Sequence, residues 1–173
     1  MQNLPTNYNL LQPTSYRLII DKLPLVSYWA QSVQLPGAQV GETQLNTPFK
    51  DFPMAGDNIN HDIFDIMFLI DEQMANWNEL YKWMRQLTSP SDFKKEFKTL
   101  PQDPRYNDPN IKEMYSDARL HITTNSMNPN IVIKFTSMFP TVLTPISFES
   151  SDTTLQPLLG TCSFTVHDMI IET

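Results

Sequence analysis

Three histidines (His61, His121, His167) and 19 carboxylates are the side chains of this 173-residue sequence best suited to acid–base or metal chemistry. Histidine-based zinc sites on one element need two imidazoles three or four residues apart, and no such pair occurs. His61-Asp62 and His167-Asp168 are sequence neighbours, but neighbours on a strand point to opposite faces, so neither is a ready proton-transfer pair. The single cysteine, Cys162, can build neither a thiolate zinc site nor an intramolecular disulfide, and reads as a small apolar core residue. Gly37, Gly41, Gly56 and Gly160 are spaced for neither a dinucleotide fingerprint, a phosphate loop nor a nucleophile elbow. Trp77, Tyr81, Trp83 and Met84 could suggest an aromatic ligand box. At helical spacing they read instead as a core face, with Trp83 off the stripe and free to meet a nearby loop or another subunit. These residues point away from catalysis, and no cofactor or metal is expected.

The charge distribution says more. Net charge is -7. Seven carboxylates fall between residues 42 and 72 (Glu42, Asp51, Asp57, Asp62, Asp65, Asp71 and Glu72) against one base, Lys50. One minus seven is -6, so this stretch holds nearly all of the surplus. A surface that grips nucleic acid has the opposite sign. The first twenty residues lack a basic start followed by an apolar run. The longest apolar stretch, 63–70, contains Asp65 and is far shorter than the roughly 20 residues of a membrane span. A soluble protein made in a cytosol is expected, with no membrane partner.

The elements that must position these residues are mostly strands. Alternation marks strands at 15–21, 27–35, 61–70, 117–124, 131–139 and 160–171, with weaker extended stretches at 40–47 and 141–149. Pro53, Gly56 and Asp57 make 50–60 read as a loop. The period changes at 72–87, where Trp77, Leu80, Tyr81, Met84 and Leu87 recur at helical spacing and Asn76 precedes Glu79 by three residues, as in a capping box. Residues 1–13 read as an N-terminal arm. Residues 89–116, with four prolines, five bases and five acids, read as an irregular insert. The order of strands, one helix, then strands predicts a mainly β fold over a single domain, 1–173. The expected form is an antiparallel β-sandwich or barrel with one flanking α-helix at about 72–87.

Several local patterns resemble one family. They are LPLVSYWAQSVQLPG at 23–37, PMAGD at 53–57, DIFDIMFLIDE at 62–72 and NWNELYKWM at 76–84. SDARLHI, NPNIVIKFTSMFPTVLTPISFES at 128–150 and CSFTVHD at 162–168 follow. In this order the chain resembles the tail tube proteins of contractile-tailed phages, including baseplate tube-initiator relatives. The resemblance implies a tail-tube β fold whose copies form homo-hexameric rings that stack into a channel, in a virion tail assembled in the host cytoplasm. It implies tail sheath, baseplate hub or tube initiator, and tape measure proteins as partners. DNA would pass through without specific binding. Asp57, Asp62 and Asp65 are then expected to line the channel and repel the phosphates. Phe49, Phe52, Met54, Phe93, Phe97 and Tyr106 are expected at ring or stacking interfaces. The alternatives are a baseplate or terminal ring, the tube of a related injection or secretion system, and a monomeric β-sandwich binding module.

Overall fold

A computed structural model describes residues 10–88, 114–124, 128–149 and 156–172. Nine strands and two helices follow in the order β1 (Tyr16–Ile20), α1 (Pro24–Trp29), β2 (Ala30–Gln34), β3 (Ala38–Leu45), β4 (Phe52–His61), β5 (Phe64–Leu69), α2 (Ala75–Thr88), β6 (Ser116–Thr123), β7 (Pro129–Leu143), β8 (Leu159–Thr165) and β9 (Asp168–Glu172).

Seven strands make one antiparallel sheet, ordered β1-β6-β7-β8-β5-β2, with β9 on the first half of β7. The sheet rolls up until its two end strands approach, and the Tyr16 hydroxyl donates to the Gln31 carbonyl at 2.5 Å across the seam. The roll is possible because β7 changes partners partway. It pairs with β9 through Thr136 and with β6 through Met138, where the register shifts, then with β8 from Phe139 onward. Ser137 stands at the switch with φ 52, its N–H donated to the Asp117 carboxylate at 3.1 Å. The sequence places a break at Pro140. The strand instead runs through it, with a register shift between Pro140 and Val142. A missing N–H is tolerated where the ladder is already irregular.

Alternate residues of β1, β5, β6 and β8 fill one core, and Phe64, Phe68, Phe135 and Phe164 are completely buried in it. Gly160 is required there, because a Cβ would lie 2.9 Å from the Phe68 ring. Cys162 is buried in the same cluster, as its composition suggested.

Two readings of the first third need correction. Residues 27–35 are not one strand. Pro24 sits in the first turn of α1 with its φ preset for a helix, and Val26 is the buried residue of that turn. Ser27 ties the helix down, donating to the Leu23 carbonyl at 2.8 Å and accepting the Ile20 N–H at 2.9 Å. The expected strand 61–70 is also broken: β4 ends at His61 and β5 begins at Phe64.

Helix α2 forms three residues later than its period suggested, and its inward face keeps only part of the expected stripe: Leu80 is buried and Trp77 and Leu87 pack on the core. Asn76, Leu80 and Trp83 are its buried residues, whereas Tyr81 is 45% exposed. Asn76 is not the cap. It lies inside the helix, where its amide donates to the Leu69 carbonyl at 2.6 Å, while Asp71 Oδ1 takes its N–H at 3.2 Å. Trp83 packs on Phe164 inside the roll, and its indole N–H reaches the Met114 carbonyl at 3.1 Å. Its contact with the end of the insert is therefore real, but Trp83 is also the core residue of the helix.

Candidate assembly surfaces

β3 and β4 form a separate two-stranded antiparallel sheet of eight and ten residues. The loop expected at 50–60 is thus mostly strand. Its turn residues have other uses here. Pro53 lies in a hairpin strand whose outer edge is unpaired among the described residues, where no ladder donor is needed. Gly56 and Asp57 lie in a bulge, where Gly56, Asp57 and Asn58 stand against Gly41 alone, between the rungs Val40↔Ile59 and Glu42↔Ala55. The strands come so close there that a Cβ on Gly56 would sit 2.7 Å from the Gly41 carbonyl oxygen. A bulge of this kind increases twist and bends the strand. At the tip, Thr47 Oγ1 accepts the Lys50 N–H at 3.2 Å and donates to the Lys50 carbonyl.

Almost no residue of this hairpin is buried. Val40, Leu45, Phe52, Met54 and Ile59 are each about half exposed or more, and Phe49 at the tip is 98% exposed. By strand alternation Leu45, Phe52, Thr43 and Met54 share one face, in the rungs Leu45↔Phe52 and Thr43↔Met54. The other face carries Val40↔Ile59 and Glu42↔Ala55. A lone hairpin is marginally stable in water, and this one leaves apolar side chains on both faces in solvent.

The three aspartates expected in one channel-lining hairpin belong to three different pieces of structure. Asp57 is exposed in the β4 bulge. Asp62 is exposed in the link to β5, where its N–H donates to the Gly37 carbonyl at 2.9 Å and its carboxylate accepts from Gln39 at 3.4 Å. Asp65 lies in β5 of the rolled sheet, opposite in alternation to the buried Phe64 and Ile66. One oxygen of Asp65 is buried with no hydrogen-bond partner. Of the expected interface residues, Phe49, Phe52 and Met54 cluster at the end of the hairpin. Phe93, Phe97 and Tyr106 lie outside the described residues.

The sequence reading missed one constellation. His61 ends β4 and Asp168 begins β9, and the fold brings His61 Nε2 within 3.7 Å of Asp168 Oδ1. Neither residue meets its sequence neighbour as an acid–base pair. Among the described residues no group of three or more His, Cys, Asp or Glu side chains is placed to hold a metal ion.

No protein-family model and no curated protein matches the chain. Solved structures do. A chain of the anti-feeding prophage tube-terminating cap superimposes with a TM-score of 0.65 at 11% identity, covering 99% of this chain and 95% of that one. A chain of the sheath/tube terminator of the extracellular contractile injection system PVC, in its extended state, gives 0.62 at 13% identity, with 98% and 100% covered. A chain of the extended PVC sheath–tube complex gives 0.61 at 12% identity, with 97% and 94% covered. At these identities the likeness is one of fold. The rolled sheet with its flanking helix thus shares its mainly β fold with these chains of contractile injection particles.

Proposed function

We propose that this protein is a structural subunit of a contractile tail tube, one that forms hexameric rings stacked into a delivery channel and performs no catalysis. One observation carries the reading: a long hairpin that stands off the rolled sheet with apolar residues exposed on both faces and, among the described residues, both outer edges unpaired. Unpaired strand edges are templates for another strand. Repeated head-to-tail contact between identical copies closes into a ring when the rotation allows. Completed by its neighbours, the hairpin would have its backbone satisfied and its Phe49, Phe52 and Met54 covered.

In such a ring Asp57, Asp62 and Asp65 supply an acidic wall. DNA would pass along it without adhering, since phosphate binding requires bases. Tail sheath, baseplate hub or initiator, and tape measure protein are the partners this role entails, in a phage tail assembled in host cytoplasm. A second reading, the tube or terminating ring of an injection system, is favoured by the solved neighbours, which come from such particles.

The test is electron microscopy and mass measurement of purified protein over a wide concentration range. Rings or stacked tubes are expected. The double substitution Phe52→Glu with Met54→Lys should leave a folded monomer that no longer assembles. A wild-type chain that remains a monomer at every concentration and is missing from purified particles would end the proposal.

A further inference from the structure

β3 and β4 pack on each other and barely touch the rest of the molecule, so the hairpin is an arm held by its root. Its direction depends on few contacts. The chain enters at Gly37 and leaves at Asp62, joined by the Asp62 N–H to Gly37 carbonyl bond. That bond closes the root but sets no angle against the rolled sheet. Among the described residues, the charged contact from the hairpin root to the rolled sheet is His61 to Asp168.

The imidazole lies in a cleft of about 600 Å3 lined also by Asn60, Tyr115, Ser137, Thr165 and His167. The His61 side chain is 6% exposed, and its Nδ1 is buried with no hydrogen-bond partner. Burying a polar ring this far is unfavourable unless it gains a compensating contact. An apolar residue would fill the same space without the orphaned nitrogen. Among the described residues the Asp168 carboxylate stands beside it, 3.7 Å from Nε2, an ion-pair distance longer than a hydrogen bond. That carboxylate is itself fixed: its Oδ1 accepts the Met169 N–H at 2.8 Å, and Asp168 is the first residue of β9, in register with Thr136 of β7. The pair thus ties the last rung of the hairpin to the corner between β8 and β9.

We infer that His61 and Asp168 are positioning residues that hold the hairpin at one fixed angle to the rolled sheet. The inference rests on the hairpin being the assembly element, since a fixed angle presents the same edge to every neighbour. A hairpin that swings lowers the fraction of molecules ready to assemble, and apparent affinity falls with that fraction.

The experiment reads the angle in the monomer, so it does not depend on whether rings form. Spin labels are placed on Lys50→Cys at the tip and Tyr28→Cys on α1, both exposed, while buried Cys162 stays unlabelled. Dipolar distance measurement in dilute protein should give one narrow peak. Asp168→Ala, a change at a half-exposed position that spares the core, should roughly double the width of that peak. His61→Ala should do the same, and the double variant should be no broader than either single. Circular dichroism confirms that each variant is folded. A parent peak already as broad as the variants, or an Asp168→Ala peak as narrow as the parent, overturns the inference. Failure of the wild-type chain to form rings, with a narrow peak that Asp168→Ala broadens, would instead overturn the tube reading and leave the positioning pair intact.

Discussion

The Phe64 ring lies tilted 4.4 Å from Phe135 and 6.4 Å from Phe164, and Trp83 reaches Phe164 at 6.2 Å from the helix side. This cluster links strands from both halves of the roll to α2, so it sets the stability of the whole. Phe164→Ala should destabilise by about 3–5 kcal/mol, the usual range for emptying a buried aromatic site. A lower urea midpoint with an unchanged slope would show it. Beside this cluster, burial pushes the Cys162 thiol from 9.0 up to about 12, with the Asp65 carboxylate adding a smaller push. An acid raised in the folded state keeps its proton there after the unfolded chain has begun to lose it. Stability must therefore fall as pH rises from 9 toward 12, by at most about 1.4 kcal/mol per pH unit. Tyr16, also raised by burial, adds a term of the same sign at higher pH. Cys162→Ala should flatten the decline that begins near pH 9 and runs toward pH 12 in urea titrations. A variant profile as steep as wild type would place the effect elsewhere.

At the scale of elements, the hairpin bulge is the feature most open to test. Gly56→Ala places a Cβ 2.7 Å from a backbone oxygen that no rotamer change can move. The bulge must open, and the registers on either side must shift against each other. The rolled sheet shares no ladder with the hairpin. Thermal unfolding of the monomer should therefore change little, while ring formation is lost. Retained assembly would mean that the bulge geometry is not used. The same separation explains what the sequence made legible. β1, β6 and β8 could be read because burial on one face writes alternation into Leu18 and Ile20, into Leu120 and Ile122, and into Cys162 and Phe164. β4 was illegible because neither of its faces is buried within one copy, so only Pro53, Gly56 and Asp57 spoke, and they spoke for a loop. In α2 the period was plain and Leu80 was on the expected stripe, but from it Asn76 and Trp83 continue a helical stripe as well as Tyr81 and Met84 do. Only packing on Phe164 decides between the two faces. His61 and Asp168 lie on distant strands, and nothing local joins them.

For the whole molecule, charge opposes the association that shape invites. Every copy carries a net charge of -7, and described carboxylates Glu42, Asp57 and Asp62 are exposed on the hairpin or at its root. No Lys or Arg follows Lys134, so β8, β9 and the second half of β7 supply no bases to offset them. Bringing copies of the hairpin side by side raises a repulsion that apolar burial must exceed. Salt weakens the repulsion: the screening length shrinks from about 30 Å at 0.01 M to about 8 Å at 0.15 M. Burial of Val40, Leu45, Phe52 and Ile59 is not weakened in this way and is strengthened by excluded salts such as sulfate. Rings should therefore appear at lower protein concentration as salt increases, with sulfate more effective than chloride at equal ionic strength. Light scattering against ionic strength measures this directly. The opposite trend, assembly favoured at low salt, would mean that attractive charge pairs between copies dominate. The hairpin's acidity would then be part of the contact and could not also form a free wall along the channel.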